Sequence, residues 1–320
     1  MNTNLTIRKT TTALLASAKK TSLWGQYWEN KYLFIMLIPV LLYYAIFHYG
    51  PMYGVLIAFQ DYKLLLGVSG SPWVGLANFK ELFAGDYFLS VLGNTLVINF
   101  YKLLIGFTAP IILALMINEV SHRWFKKAVQ TISYMPHFLS WIVLSGLIIE
   151  FLSPSRGPVN IVLSYFGFEP IFFITEPQWF RSILVSSDIW RNIGFSTIIF
   201  LAAIAGINPE MYESAEVDGI NRLQRIWYIT LPSMAPVIVI MLILATGSII
   251  NDDFEQVFNL LNAKVLDVGE VLSTYTYKEG LTKMNFSYAA AVGLFKNVVA
   301  LVLVLSANQL AKRFTDESII

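Results

Sequence analysis

Six apolar stretches of roughly twenty residues each dominate this 320-residue chain, and they leave it few folds to choose from. A bilayer core of about 30 Å takes about 20 helical residues. The segments Tyr32–Tyr49, Asn94–Ile117, Thr131–Leu152, Ile183–Gly206, Leu231–Asn251 and Tyr288–Leu310 meet that length once moderately polar ends are allowed. Backbone N–H and C=O groups cannot stay unpaired in lipid, so spans of this kind must be helices, and the alternation of a barrel strand is absent. The expected fold class is all-α: an integral membrane bundle of six transmembrane helices over residues 32–310, with tails at 1–31 and 311–320. A composition of 56% apolar and 13% charged residues agrees.

Charge sets the orientation. With both termini on one side, that side collects Arg8, Lys9, Lys19, Lys20, Lys31, Arg123, Lys126, Lys127, Arg222, Arg225, Lys312 and Arg313. The other side holds Lys63, Lys80, Arg156, Arg181, Lys264, Lys278 and Lys283 over longer loops, and Lys102, Arg191 and Lys296 fall within spans. The bias places both termini and the loop at 208–230 in the cytoplasm. Arg8 and Lys9 precede a mild run from Thr10 to Ala18, but Lys19-Lys20 closes it without a small-residue cleavage site, so it is taken as a retained tail rather than a signal peptide.

Several chemistries are excluded. The chain has no cysteine, hence no disulfide, thiolate nucleophile or Cys-ligated metal. It has no phosphate-binding G-x-x-x-x-G-K-[ST] motif and cannot hydrolyse ATP by itself. His48, His122 and His137 stand at no metal-ligand spacing and are expected to be packed or interfacial, and no G-x-S-x-G elbow accompanies the serines. Neither a catalytic nor a metal site is assigned. A net charge of +1 without a basic patch argues against nucleic acid.

A charge at mid-membrane costs about 2.5–3.5 kcal/mol on insertion scales, so Lys102, Glu150, Asp188, Arg191 and Lys296 should face protein or water. Asp188 and Arg191 are three apart on one helix face and are expected to neutralise each other. Lys102 and Lys296 would then carry uncancelled charge suited to an anionic substrate. Trp141, Trp190, Asn192, Asn251, Asp253 and Asn297 are the side chains a sugar path needs, rings for pyranose faces and polar groups for hydroxyls, although aromatics at span ends also anchor helices at the interface. The candidate path is therefore Lys102, Trp141, Trp190, Asn192, Asn251, Asp253, Lys296 and Asn297.

The loop between the fourth and fifth spans starts like a helix: Asn208 as cap, Pro209 in the first turn, Glu210 at the positive end of the dipole. Met211, Tyr212, Ala215 and Val217 are small or apolar and are expected to sit in a cleft on a partner; Gly219 ends the helix. Glu213-Ser214-Ala215-Glu216-Val217-Asp218-Gly219, followed by Ile229-Thr230-Leu231-Pro232, resembles the EAA loop of ABC-importer permeases. One position departs, Ser214 standing where the pattern has Ala.

The likeness extends to Tyr49–Gly54, Trp73–Phe79, Tyr134–Trp141 and Asn251–Phe258, which look like the oligosaccharide and polysaccharide branch, and within it like permeases for acidic glycans such as alginate. The resemblance implies a type I importer in the bacterial inner membrane. Its parts would be this chain, a second homologous permease, two ATP-binding subunits that hold ATP and Mg, and an external solute-binding protein delivering carbohydrate. This chain would bind no cofactor. Glu213, Ser214, Ala215, Asp218, Gly219, Leu231 and Pro232 would form the contact with the ATPase. The rival classes are an ion-coupled secondary transporter of sugars, disfavoured by the loop and by the lack of an inverted repeat, and a structural or assembly membrane protein, disfavoured by polar residues inside the spans.

Overall fold

A computed structural model of the chain describes residues 30–314. Of the expected tails, residues 1–29, including the run considered as a signal peptide, and 315–320 lie outside them, while 311–314 continue the last helix. Two compact units are distinguished, residues 1–55 and 56–320. In the first, α1 (Lys31–Tyr44) contains Pro39 and continues into a π-helical turn (Ala45–Tyr49); no residue of α1 is buried, and the 3-10 helix that follows (Gly50–Phe59) spans the division between the units.

Among its described residues the second unit consists of helices joined by turns and extended segments, with one isolated bridge between Gln60 and Trp73. Its helices include α2 (Ala77–Ala84), α3 (Asp86–Glu119), α4 (Arg123–Tyr134), α5 (Trp141–Phe151), α6 (Pro158–Tyr165), α7 (Pro177–Ala205), α8 (Pro209–Val217), α9 (Arg222–Arg225), α10 (Leu231–Thr246), α11 (Phe254–Leu260), α12 (Leu272–Tyr277) and α13 (Phe286–Phe314), besides single turns at Gly67–Gly70 and Leu266–Gly269. Five helical stretches of the described residues are long and apolar enough to cross a membrane: Lys31–Phe59, Asp86–Glu119, Pro177–Ala205, Arg222–Thr246 and Phe286–Lys312. The protein is thus an all-α, multi-pass membrane bundle. Large apolar side chains such as Leu104, Ile112, Leu244 and Leu301 point outward, the arrangement lipid permits and water penalises.

The expected third span, Thr131–Leu152, is not a straight helix. Pro136 lacks a backbone donor, so α4 tightens into a 3-10 turn at Met135–Phe138, Leu139 is extended, and Ser140 caps α5 by accepting from Val143 N. The two arms meet at 109°. An arm of 11 residues reaches only about 16 Å, too short to cross alone. The bend is locked where α7 crosses α4, because a Cβ on Gly194 would lie 2.2 Å from the carbonyl oxygen of Ser133.

α3 begins at Asp86, eight residues before the expected Asn94, and the polar groups at the expected start are held by neighbouring segments. Asn94 Nδ2 donates to Asp267 O (2.9 Å) while its Oδ1 accepts from Arg181 Nη2 (2.7 Å), and Thr95 Oγ1 accepts from Leu272 N (2.9 Å). At the same end Asn262 Nδ2 donates to Ile174 O, and Tyr62 N donates to Ser287 Oγ. The loops expected outside the cell therefore meet at one end of this unit. Residues Asn118–Ser121 meet Tyr212, Arg222 and Arg225 around a second polar depression, bringing together two loops expected in the cytoplasm.

Candidate functional site

α3, α7 and α10, with the turn after α10, line a half-open cavity of about 350 Å³ whose wall includes Asn99, Lys102, Asp188, Asn192, Asn251 and Asp253. That is the small end of the ~300–1,000 Å³ range of ligand pockets. Four of the candidate path residues, Lys102, Asn192, Asn251 and Asp253, thus share one chamber. Asp188 accepts from Asn192 Nδ2 at 3.2 Å, and Asn192 Oδ1 lies 3.1 Å from Nδ1 of His137, whose ring stacks on Phe195 at 4.0 Å. The Asn99 amide nitrogen is buried without a partner in the cavity wall.

The charges pair differently from expectation. Lys102 Nζ lies 3.7 Å from Asp188 Oδ1 and 2.5 Å from Gln256 Oε1; Gln256 is fully buried and donates to Leu184 O and Ser187 Oγ. Arg191 Nη1 lies 3.6 Å from Asp253 Oδ2. Asp188 and Arg191 form no ion pair with each other; each meets an opposite charge brought in from another element, where reduced water strengthens the pair. Lys296 is paired too, 3.2 Å from Asp252, whose side chain is buried and also accepts from Ser273 N. Neither lysine carries the uncancelled charge expected of it.

Trp141 does not reach the chamber. It is 1% exposed, its indole N–H donates to Asp253, and the Arg191 guanidinium covers its ring at 4.8 Å, so no face is open to a pyranose. Trp190 is 47% exposed but faces an apolar groove formed with Leu147, Phe151, Val159 and Ile183. Lys296 and Asn297 line a second cavity of about 670 Å³ with Phe254, Ser273, Thr276 and Tyr277; Asn251 belongs to both cavities. Asn99, Gln256 and Tyr277 were not singled out from the sequence. The dense polar run Asn251–Gln256, directly after an apolar span, was the available signal for Gln256.

The 208–230 segment folds into the short helix α8, the single turn α9 and a π-helical turn (Ile226–Thr230). Asn208 Oδ1 accepts from Glu210 N at 3.1 Å, Pro209 opens α8, and Asp218 caps its end. Gly219 has φ +75° with open space around it, and the next residue's N–H closes onto Ala215 O at 3.0 Å. Gly is suited to this conformation because a side chain there strains the backbone. Glu213 and Ser214 are exposed, Ser214 Oγ donating to Glu210 O. Ala215 is 5% exposed and Tyr212 is half-buried, so these two face the protein's own bundle and only Met211 and Val217 of the four small or apolar residues point strongly outward. Leu231 is half-buried at the start of α10 and Pro232 is exposed beside it.

Asn221 and Gln224 form a reciprocal capping box, and Arg225 bridges Glu119 and Glu216. These braces were not foreseen, since nothing in the spacing of Arg225 reveals a partner on α3. His122 caps α4 by accepting from Phe125 N. Among the described residues no group of three or more His, Asp or Glu side chains could hold a metal ion.

Residues 106–316 match the profile of the family described as binding-protein-dependent transport system inner membrane component. The chain is 46% identical over 291 residues to the polygalacturonan/rhamnogalacturonan transport system permease protein YteP of Bacillus subtilis (strain 168), covering 91% of each. It is 41% identical over 312 residues to Protein LplB of the same organism, covering 98% of each. A chain in the crystal structure of a bacterial alginate ABC transporter, in complex with an alginate pentasaccharide-bound periplasmic protein, superposes with a TM-score of 0.86 at 42% identity, over 93% of this chain and 99% of that one.

Proposed function

We propose, from the premise that this chain belongs to the family of binding-protein-dependent transport system inner membrane components, that it carries uronic-acid-rich oligosaccharides inward across the membrane. It is the transmembrane permease subunit of a carbohydrate ABC importer, a multi-pass membrane protein without a catalytic centre of its own. The acidic substrate class is supported above all by the 46% identity to a permease named for polygalacturonan and rhamnogalacturonan. Galacturonan and alginate are both polymers of sugar carboxylates, so the relative and the solved structure point to the same chemistry.

In this reading the chain pairs with a second homologous permease and with two ATP-binding subunits that hold ATP and Mg. An external solute-binding protein delivers the glycan, and lipid surrounds the bundle. Both termini and α8 lie in the cytoplasm, the 32–310 bundle being a single permease domain with the 208–230 loop as its coupling segment. Glu213, Ser214, Asp218 and Gly219 face the ATPase, Ala215 seats the helix on its own bundle, and Leu231 and Pro232 begin the membrane helix that follows. Substrate passes the chamber of Lys102, Asn192, Asn251 and Asp253 and the adjoining cavity of Lys296 and Asn297. Trp190 belongs to a neighbouring surface, and Trp141 supports the wall from behind.

The proposal is tested by purifying the complex in detergent, reconstituting it with its binding protein, and measuring ATP-driven uptake of trigalacturonate. Retained ATPase subunits with trigalacturonate uptake well above that of a neutral arabino-oligosaccharide support it. Preference for the neutral sugar sinks the acidic assignment.

A further inference from the structure

Between α8 and the following membrane helix the chain turns through Gly219, at φ +75° with only the backbone bonds Gly219 N to Glu216 O and Ile220 N to Ala215 O closing the helix end, and then through the four-residue α9. A joint of this kind yields readily, because Gly has the widest backbone freedom and so short a helix has little rigidity of its own. A push delivered to α8 would be absorbed there unless another contact crossed the joint. Arg225 crosses it. Its Nη1 lies 3.3 Å from Glu216 Oε1 on α8, and its Nη2 lies 3.1 Å from Glu119 Oε2 at the end of α3. The guanidinium also lies 5.7 Å from the centre of the Tyr212 ring, and the Tyr212 hydroxyl is 3.1 Å from Thr230 Oγ1, in the π-helical turn that leads into α10.

We propose that Arg225 is a positioning residue that makes α8 and the adjoining ends of α3 and α10 move as one body; this rests on the reading of α8 as the ATPase contact. The two acids contribute unequally. The Arg225 and Glu119 side chains are 23% and 20% exposed, so this pair fixes Arg225 on α3; on the α8 side Glu216 is 70% exposed and adds little, and the hold falls mainly on the Tyr212 ring. Arginine is required because one planar fork can serve two carboxylates while lying over an aromatic ring; a lysine ammonium is a point charge and cannot. Arg225 turns toward the bundle and is not itself the surface offered to a partner.

The test uses the reconstituted complex of permeases, ATPases and binding protein, with Arg225→Ala, Arg225→Lys, Glu119→Gln and the exchange Glu119→Arg/Arg225→Glu. The readouts are ATPase subunits retained and trigalacturonate taken up per ATP hydrolysed. All variants should keep their ATPase subunits and continue to hydrolyse ATP. Uptake per ATP should fall by about tenfold in Arg225→Ala and Glu119→Gln, within the range of coupling between sites, fall less in Arg225→Lys, and recover in part in the exchange. Parental uptake per ATP in Arg225→Ala overturns the proposal. So does loss of the ATPase subunits, which would make Arg225 a docking contact, or a parallel fall of hydrolysis and uptake, which would make it merely structural. Gly219→Trp separates the two readings: if it uncouples while Arg225→Ala does not, only the brace fails, and if both behave as parental, the assignment of α8 fails.

Discussion

Replacing Lys102 by Gln and Asp188 by Asn should move the affinity for an acidic sugar in opposite directions. The parental chamber carries the pairs Lys102–Asp188 and Arg191–Asp253, separated by 3.7 Å and 3.6 Å, and is formally neutral. Lys102→Gln leaves Asp188 uncompensated and the chamber at one negative charge; Asp188→Asn leaves Lys102 uncompensated and the chamber at one positive charge. A sphere of the chamber's 350 Å³ has a radius of about 4.4 Å, so a carboxylate at its centre lies about 6 Å from a charge at the wall and feels it by about 0.7 kcal/mol at a dielectric of 80 and about 2.8 kcal/mol at 20. Each substitution should therefore change affinity by roughly 3-fold to 100-fold, weakening for Lys102→Gln and strengthening for Asp188→Asn. The assay is equilibrium binding of trigalacturonate to the detergent-solubilised complex without its binding protein. Fully methyl-esterified trigalacturonate serves as the uncharged control and should discriminate little between the variants. Raising the salt concentration should shrink the difference. Shifts of the same sign for both variants, or equal shifts for the esterified sugar, would refute the electrostatic reasoning and remove this chamber from the path of an acidic glycan.

Gly219→Trp should uncouple uptake from ATP hydrolysis or strip the ATPase subunits while the bundle stays folded, since a side chain at φ +75° strains the backbone by about 1–2 kcal/mol and the new ring projects from the proposed contact surface; uptake and subunit retention are the measurements. Cysteines introduced into the Cys-free chain report sidedness. Ser69→Cys and Ser155→Cys should react with an impermeant maleimide in intact spheroplasts, and Ser121→Cys and Ser214→Cys only after permeabilisation. Gly194→Leu should abolish folded complex in detergent extracts, because a Cβ there already lies 2.2 Å from the Ser133 carbonyl oxygen and the backbones must separate; a monodisperse, active variant would show that the α4–α7 crossing is not so close.

The spans were legible because lipid leaves a long apolar segment no alternative to helix. What hydropathy concealed is the break inside Thr131–Leu152. An average over twenty or so residues passes smoothly across Pro136 and Ser140, although the pair is a helix-stop followed by a helix-start. The stretch 251–285 was hidden for another reason: it folds into pieces as short as Leu266–Gly269 and Leu272–Tyr277, too brief to show a helical period. Pairing was hidden altogether. Asp188 and Arg191 advertise one another at a spacing of three, while their actual partners, Lys102 and Asp253, come from other elements. Ala215 shows the same limit on a smaller scale, since a small residue suits a partner's cleft or the protein's own bundle equally well and only the register of α8 on the bundle decides for the latter.

The pairing of Lys102, Arg191 and Lys296 bears on how a chamber can pass an anion without retaining it. A permeation site must attract its cargo enough to admit it and hold it weakly enough to let go. An isolated lysine would meet the first demand and fail the second, since at a dielectric of 20 an ammonium 4 Å from a carboxylate attracts it by about 4 kcal/mol, a factor of roughly a thousand in residence. Lys102 held between Asp188 and Gln256, and Asp253 at the wall paired with Arg191 behind it, instead present dipoles to the chamber. Their attraction for a passing carboxylate is weaker and falls faster with distance than that of a free charge. On the proposed path, selection of the acidic glycan then belongs to the binding protein that delivers it, and this chamber supplies passage. Asp188→Asn probes that division of labour: by freeing Lys102 it should tighten binding of trigalacturonate while slowing its uptake at saturating binding protein, and a variant that binds more tightly and transports faster would contradict it.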